Sequence, residues 1–197
     1  NDAHLHVEYQ ISHVFTRKKL AKLLDEIIKP NKMVKIDNKS HAIALVYDGS
    51  YYSMPYPNGD VPDGIGVCTD VVIRTYRANG LDLQKEVHED MLANFDSYPK
   101  HWGLKKPDPN IDHRRVPNLM TYFERKGARL PITKNESDYY PGDIVAWDLG
   151  GGVTHIGIVV NVLSNDKKRD QIVHNIGAGQ VLEDCLFNYK IIGHYRF

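Results

Sequence analysis

The sequence predicts one α+β domain, with helices first and an antiparallel sheet after them. Apolar residues recur at helical spacing in the first half of the chain, and short β-rich segments separated by Gly, Asn and Asp follow from Pro141 onward. The length of 197 residues is enough for one hydrophobic core. We therefore treat residues 1–197 as a single domain.

The first elements are two predicted helices. Over residues 14–29 the leucines and isoleucines follow one helix face until Pro30 ends the pattern. A second, short helix is predicted over residues 40–48, in SHAIALVYD. We expect the part of the chain up to about residue 40 to form an N-terminal helical extension of the domain.

A third helix is predicted to begin at Cys68, directly after a loop rich in proline and glycine. Val71, Val72, Thr75 and Tyr76 recur with a helical period, and Gly80 follows at the position of a left-handed C-terminal cap. Cys68 therefore lies in the first turn of a helix.

The middle of the chain contains broken helical patterns and two charged clusters, VHEDM at residues 87–91 and IDHRRV at 111–116. Neither has the ligand spacing of a zinc site, so we predict no metal and no cofactor. Arg114 and Arg115 admit two interpretations, which are a buried ion-pair brace and a clamp for a substrate carboxylate. The sequence favours the brace.

Charge and hydropathy exclude several partners. Basic and acidic residues are equal in number, 25 each, so we do not expect a broad positive electrostatic potential that would attract nucleic acid. Apolar runs such as HIGIVVNVL have strand length, and none approaches the ~18 to 20 residues of a membrane helix. The oligomeric state is not predicted.

Cys68 has two interpretations, which are a buried core residue with a packing role and a catalytic nucleophile. A helix start and a neighbouring histidine lower the pKa of a thiol, which favours the second interpretation. His155, at the start of the segment HIGIVV, is the candidate base, and His174, in QIVHNIG, is the candidate group that orients it. Cys185 lies among acidic and apolar residues that should make it unreactive, although the two cysteines also permit one disulfide.

The segment PGDIVAWDLGGGVTHIGIVVN, followed by VHN, resembles the signature of the NlpC-type, papain-like cysteine peptidases and amidases. From about Tyr51 to Phe197 the chain more closely resembles a domain-of-unknown-function family of exported bacterial proteins in that clan. The resemblance implies a papain-like fold, with the nucleophile helix packed on the C-terminal sheet. It also implies an exported, periplasmic or cell-envelope location. The chain begins with Asn1 rather than Met, so we expect that a leader was removed.

Carried over residue by residue, the resemblance implies Cys68 as nucleophile, His155 as general base and His174 as orienting group. The backbone N–H of Cys68 would be one oxyanion donor, and Tyr56, or failing that Tyr52, would help to polarise the carbonyl.

One position departs from the family. Cell-wall peptidases of the clan read Asp-Cys-Ser-Gly, and the acid and the serine bind a free alanine amine. Here Val67 replaces the acid, and Thr69 occupies the place of the serine as a candidate substrate contact. Asp70 is expected to have a structural role, because residue i+2 of a helix points away from Cys68.

Three functions are compatible with these residues. The first is a thiol hydrolase that cleaves an amide in bacterial cell-wall peptide through an acyl-enzyme. The second is acyl transfer, or thioester or lipid-ester hydrolysis, by the same triad. The third is a module that binds cell-wall peptide without turnover.

Overall fold

A computed structural model describes residues 34–36, 39–41 and 46–197. The helix predicted over residues 14–29 and most of the helical extension lie outside the described residues. Two short strands, β1 (Val34–Ile36) and β2 (Lys39–His41), pair antiparallel.

The short helix predicted over residues 40–48 is wrong where that stretch is described. It contributes the end of β2 and then β3 (Val46–Tyr47), which pairs parallel with β4 (Ile65–Gly66). The N–H of Val46 donates to Gly64 O at 3.0 Å, and the N–H of Asp48 donates to Gly66 O at 3.1 Å. These backbone groups are satisfied by the loop before Cys68, so the local helical pattern is overridden by a contact distant in sequence.

Helix α1 (Cys68–Ala78) has the predicted boundaries. Its buried face includes Val71, Val72, Thr75 and Tyr76. Gly80, with a φ of 87°, donates to Arg77 O while Leu81 donates to Tyr76 O. This pair of bonds is the Schellman cap, and it requires the left-handed backbone that glycine adopts without strain.

The middle of the chain is more regular than its sequence predicts. It contains α2 (Leu83–Asn94) and α3 (Val116–Arg125), joined by short 3₁₀ turns. The Asp82 side chain caps α2 by accepting from the N–H of Gln84, and a proline in the first turn of α3 needs no hydrogen-bond acceptor there.

The C-terminal third of the chain is a five-stranded antiparallel sheet, as predicted. Its strands are β5 (Ile144–Asp148), β6 (Thr154–Leu163), β7 (Asp170–Asn175), β8 (Gln180–Glu183) and β9 (Lys190–Tyr195). They are arranged in the order β8-β7-β6-β5-β9. With three helices in the described residues, the architecture is α+β.

The sheet is buried on both faces, so its strands read as nearly continuous apolar runs. Ile144, Ala146, Ile156 and Ile158 belong to a core shared with the three helices. The alternate positions pack in a second core with Cys185, and they include Val145, Trp147, Val159 and Ile172. None of the helices in the described part of the chain is long and apolar enough to cross a membrane.

One irregularity of the sheet positions α1. Within the described residues, the ladder between β6 and β7 begins at the Ile158–Val173 pair, so β6 starts without a β7 partner. The first residues of α1 and the turn before it lie in this opening, where the Asn175 side chain donates to Gly66 O at 3.1 Å. The start of α1 thus lies between the diverging ends of two central strands.

Candidate functional site

The Cys68 thiol lies in the opening between β6 and β7. It is 6% exposed. The backbone N–H of Ile156 in β6 is directed at its sulfur, as are the N–H groups of Cys68 and Thr69 at the helix start. The sulfur is therefore surrounded by backbone donors, and the Ile156 contact places it beside the residue that follows His155.

The two predicted histidines are in direct contact. His155 Nε2 lies 2.8 Å from His174 Nδ1, across the same opening of the sheet. Both side chains are buried, and the His155 ring stacks on Trp147 with centroids 5.7 Å apart. The structure thus pairs the two histidines, from β6 and β7, and places the Cys68 sulfur at the backbone of Ile156, the residue next to His155.

Two further residues extend the chain of contacts beyond His174. Its Nε2 lies 3.2 Å from Glu183 Oε2 and 3.5 Å from Cys185 Sγ. Neither contact was predicted. Because β7 and β8 form a hairpin that pairs His174 with Val181, Glu183 lies on the same face two residues further along. The Gly-rich segment between the strands signals this hairpin, but its register depends on the fold.

The hydrogen bonds define which ring nitrogens carry protons. A carboxylate only accepts, so Glu183 requires a proton on His174 Nε2, which leaves His174 Nδ1 as an acceptor. The His155 Nε2–H then donates to that nitrogen, and the remaining His155 Nδ1 has a free lone pair. Glu183 thus favours, through His174, the tautomer in which His155 can act as a base.

Burial opposes charge on both the thiol and the base. It raises the pKa of Cys68 to about 11, because desolvation outweighs the three backbone donors. Burial, followed by repulsion from His174, lowers the pKa of His155 to about 3. Our expectation of a lowered thiol pKa is therefore wrong for the resting state, in which both groups are neutral.

Arg114 forms the buried brace. Its side chain is 1% exposed and binds both oxygens of Asp70, with Nη2 at 3.0 Å from Oδ2. Its other contacts are the backbone carbonyls of residues 48 and 50. Asp70 also accepts the N–H of Val67 at 2.7 Å, which caps α1. Arg114 is thus out of reach of a substrate, and Asp70 has the structural role that we expected.

The other predicted substrate contacts lie apart from one another. The Thr69 hydroxyl is fully buried and donates to Arg114 O at 3.1 Å. The half-exposed Arg115 lies over the Trp102 ring, 4.3 Å from its centroid. Tyr56 donates to Glu89 at 3.3 Å, with its ring edge against His88 of α2. These contacts do not bring Tyr56 to the thiol.

A different tyrosine lies near Cys68. Tyr47, in β3, is 45% exposed, and its pKa is raised first by burial and then by the neighbouring Cys68. Tyr52, the alternative to Tyr56, instead donates to Asp48 at 2.6 Å. No local sequence signal pointed to Tyr47, because the parallel pairing of β3 with β4 is what places it beside the start of α1.

The two charged clusters of the middle segment meet in the interior. His88 Nδ1 lies 2.9 Å from Asp112 Oδ2, which also accepts the N–H of Asp108. His113 is buried beside them, and burial lowers its pKa to about 3. The clusters form a polar network. Among the described residues, one set brings three potential metal-ligand atoms within 4.8 Å of one another, namely His174, Glu183 and Cys185.

Comparison with known proteins assigns the chain to a family. The uncharacterized protein YijF of Escherichia coli K12 is 54% identical over 153 residues, which cover 78% of this chain and 74% of that protein. A protein of Listeria seeligeri named "Probable endopeptidase p60" is 36% identical over 76 residues, which cover 30% of this chain and only 14% of the relative. No solved structure matches the chain. Residues 34–197 match the family described as Domain of unknown function (DUF1287), and the chain therefore belongs to that family.

Proposed function

We propose that this protein is a thiol hydrolase of papain-like architecture that cleaves an amide bond in bacterial cell-wall peptide. The proposal is supported by two observations: the Cys68 sulfur, at a helix start, faces the backbone N–H of Ile156, the residue next to His155, and His155 is hydrogen-bonded to His174. The partial similarity to a protein named as an endopeptidase supports the same reaction class.

In the proposed mechanism, His155 Nδ1 takes the thiol proton as Cys68 Sγ attacks the carbonyl carbon. The C–N bond then breaks, and the imidazolium gives its proton to the leaving amine. Water, deprotonated by the same nitrogen, hydrolyses the thioester and releases the free thiol. Because both groups are neutral at rest, thiolate forms in the course of attack rather than as a stored ion pair.

Oxyanion stabilisation would come from the backbone N–H of Cys68 and from one tyrosine hydroxyl. The contacts favour Tyr47 for this second donor, since it lies near the thiol while Tyr56 contacts α2. The Thr69 hydroxyl donates to Arg114 O and is therefore not available to a substrate. Thr69 contributes only its backbone N–H, which is directed at the Cys68 sulfur.

Substrate recognition would differ from that of clan members that bind a free amine. Val67 offers no carboxylate for an ammonium group, and Asp70 is already paired with Arg114. Arg115 remains as the candidate contact for a substrate carboxylate, since its side chain is partly exposed, although its Nη1 is a buried atom without a hydrogen-bond partner within the described residues. We accordingly propose a carboxylate-bearing peptide as substrate. A cell-wall substrate would also require an exported, cell-envelope location, which we propose as well.

A module that binds cell-wall peptide without turnover is the second candidate. The observation in its favour is the resting state, a buried thiol with a raised pKa beside a neutral histidine. Acyl transfer, or thioester or lipid-ester hydrolysis, would use the same residues in the same roles.

The deciding experiment is incubation of the protein with a panel of purified muropeptides, followed by mass analysis of the products. Cleavage by the wild type, its loss in Cys68→Ala and its retention in Cys185→Ala are expected. Tight binding of a muropeptide without any product would establish the binding module instead. Products from ester or thioester substrates alone would support the alternative acyl chemistry.

A further inference from the structure

Three potential metal ligands converge at the end of the β7–β8 hairpin. They are Nε2 of His174, a carboxylate oxygen of Glu183 and Sγ of Cys185, and all three atoms lie within 4.8 Å of one another. The nitrogen is 3.2 Å from the oxygen and 3.5 Å from the sulfur. The three residues come from β7, from the last position of β8 and from the turn after it.

The two separations measured from His174 Nε2 match those between neighbouring ligands on one tetrahedral ion. With bonds of about 2.0–2.1 Å to nitrogen, about 2.0–2.2 Å to oxygen and about 2.3 Å to sulfur, neighbouring ligands on zinc lie about 3.3–3.6 Å apart. The observed distances agree to within about 0.2 Å. Hydrogen bonding alone explains this cluster less well. His174 Nε2 carries at most one proton, but it lies close to both Glu183 and Cys185.

The donor set indicates the class of ion. Thiolate, imidazole and carboxylate together suit zinc and its spectroscopic substitute cobalt(II), whereas calcium and magnesium prefer oxygen ligands. The Glu183 side chain is 51% exposed, so an ion has access from solvent, while His174 and Cys185 are buried beneath it. Three protein ligands leave a fourth position for water.

We propose that His174, Glu183 and Cys185 form a binding site for a divalent, zinc-class cation. Binding breaks the S–H bond of Cys185, releases its proton to solvent and forms the sulfur–metal bond. The ion replaces the proton on His174 Nε2.

The consequence for the triad rests on the proposed function. With metal on Nε2, a neutral His174 carries its proton on Nδ1 and donates it to His155 Nε2. A neutral His155 then has its own proton on Nδ1, the nitrogen that should accept the proton of Cys68. The metal therefore inhibits the enzyme by reversing both tautomers, at a distance from the thiol.

Metal binding is tested by titrating Co²⁺ into chelator-treated protein and recording the thiolate-to-cobalt charge-transfer absorption. We expect one Co²⁺ per chain, displaced by Zn²⁺. The band should persist in Cys68→Ala and disappear in Cys185→Ser. Glu183→Gln, a change at a half-exposed side chain, should weaken affinity at least about tenfold, while the neighbouring Asp184→Asn should not. No band at micromolar Co²⁺, or a band that depends on Cys68, would overturn the proposal.

The coupling to the triad is tested without any substrate, through the rate at which iodoacetamide labels Cys68. Zinc should slow this labelling in the wild type and in Asp184→Asn, and leave it unchanged in Cys185→Ser. Unchanged labelling of the wild type at saturating zinc would reject the inhibitory consequence. Because both readouts are independent of turnover, a protein that binds the metal but cleaves no muropeptide would refute the proposed function and leave the metal site standing.

Discussion

Nε2 of His155 lies 2.8 Å from Nδ1 of His174, so the two rings share one proton. Glu183, at 3.2 Å from the far nitrogen of His174, decides which ring carries it. This relationship makes the hairpin of β7 and β8 part of the candidate active site.

Cys68 should be alkylated faster than Cys185. Burial raises the pKa of Cys68 to about 11 and that of Cys185 to about 12, and three backbone donors are directed at the Cys68 sulfur but only one at that of Cys185. A thiol with a raised pKa gains thiolate as the pH rises, so labelling should increase roughly tenfold per unit between pH 8 and pH 10. Peptide mapping after iodoacetamide treatment measures both rates. A plateau near neutral pH would instead reveal a resting thiolate–imidazolium pair.

His155→Ala should reduce kcat/KM by about 10³-fold, because it removes the group that transfers the proton. His174→Asn should cost only about 10- to 100-fold, since an asparagine oxygen can still accept from His155 Nε2. The measurement is steady-state kinetics on a cleaved muropeptide. The opposite ranking would mean that the roles of the two histidines are exchanged.

Tyr47→Phe should lower kcat by at least about tenfold, the scale of a lost oxyanion donor, with little change in KM. Tyr56→Phe is the matched control and should leave kcat unchanged, because its hydroxyl contacts Glu89 in α2. If the Tyr56 variant is the slow one, the tyrosine matched to the clan from sequence is the correct donor.

Arg114→Ala should lower the free energy of unfolding by about 3–5 kcal/mol, because it leaves Asp70 as a buried charge without its partner. Urea denaturation followed by circular dichroism measures this loss. Lys85→Ala provides the comparison, since Lys85 pairs with Glu89 at the surface and its loss should cost less than about 1 kcal/mol. Equal effects of the two substitutions would contradict the brace.

The enzyme should not require a free N-terminal amine on its substrate, because Val67 offers no negative charge to meet it. Acetylating the substrate's N-terminus should change kcat/KM little, whereas amidating its carboxylate should lower it about tenfold or more. Arg115→Ala should abolish the difference between the acid and the amide. If acetylation prevents cleavage and amidation has no effect, an acidic residue binds an amine and Arg115 is not the contact.

The sequence by itself determined the elements whose signals are local. Helix α1 follows from its apolar period and from Gly80, and the C-terminal strands follow from β-rich segments between turn residues. The order of Cys68, His155 and His174 along the chain, together with the chemistry of those side chains, predicted a shared site, and the structure pairs its two histidines. The same local reasoning predicted a helix around Val46, where a strand pairs with a distant loop.

Only the tertiary structure decided what surrounds those three residues. Tyr47 is placed beside the start of α1 by a pairing of segments about twenty residues apart, and Glu183 and Cys185 reach His174 through the register of a hairpin. The charge state of the Cys68 thiol could not be predicted from the sequence either, because a helix start lowers a thiol pKa while burial raises it. Which effect prevails depends on how much water the packed sheet excludes, and at Cys68 burial prevails.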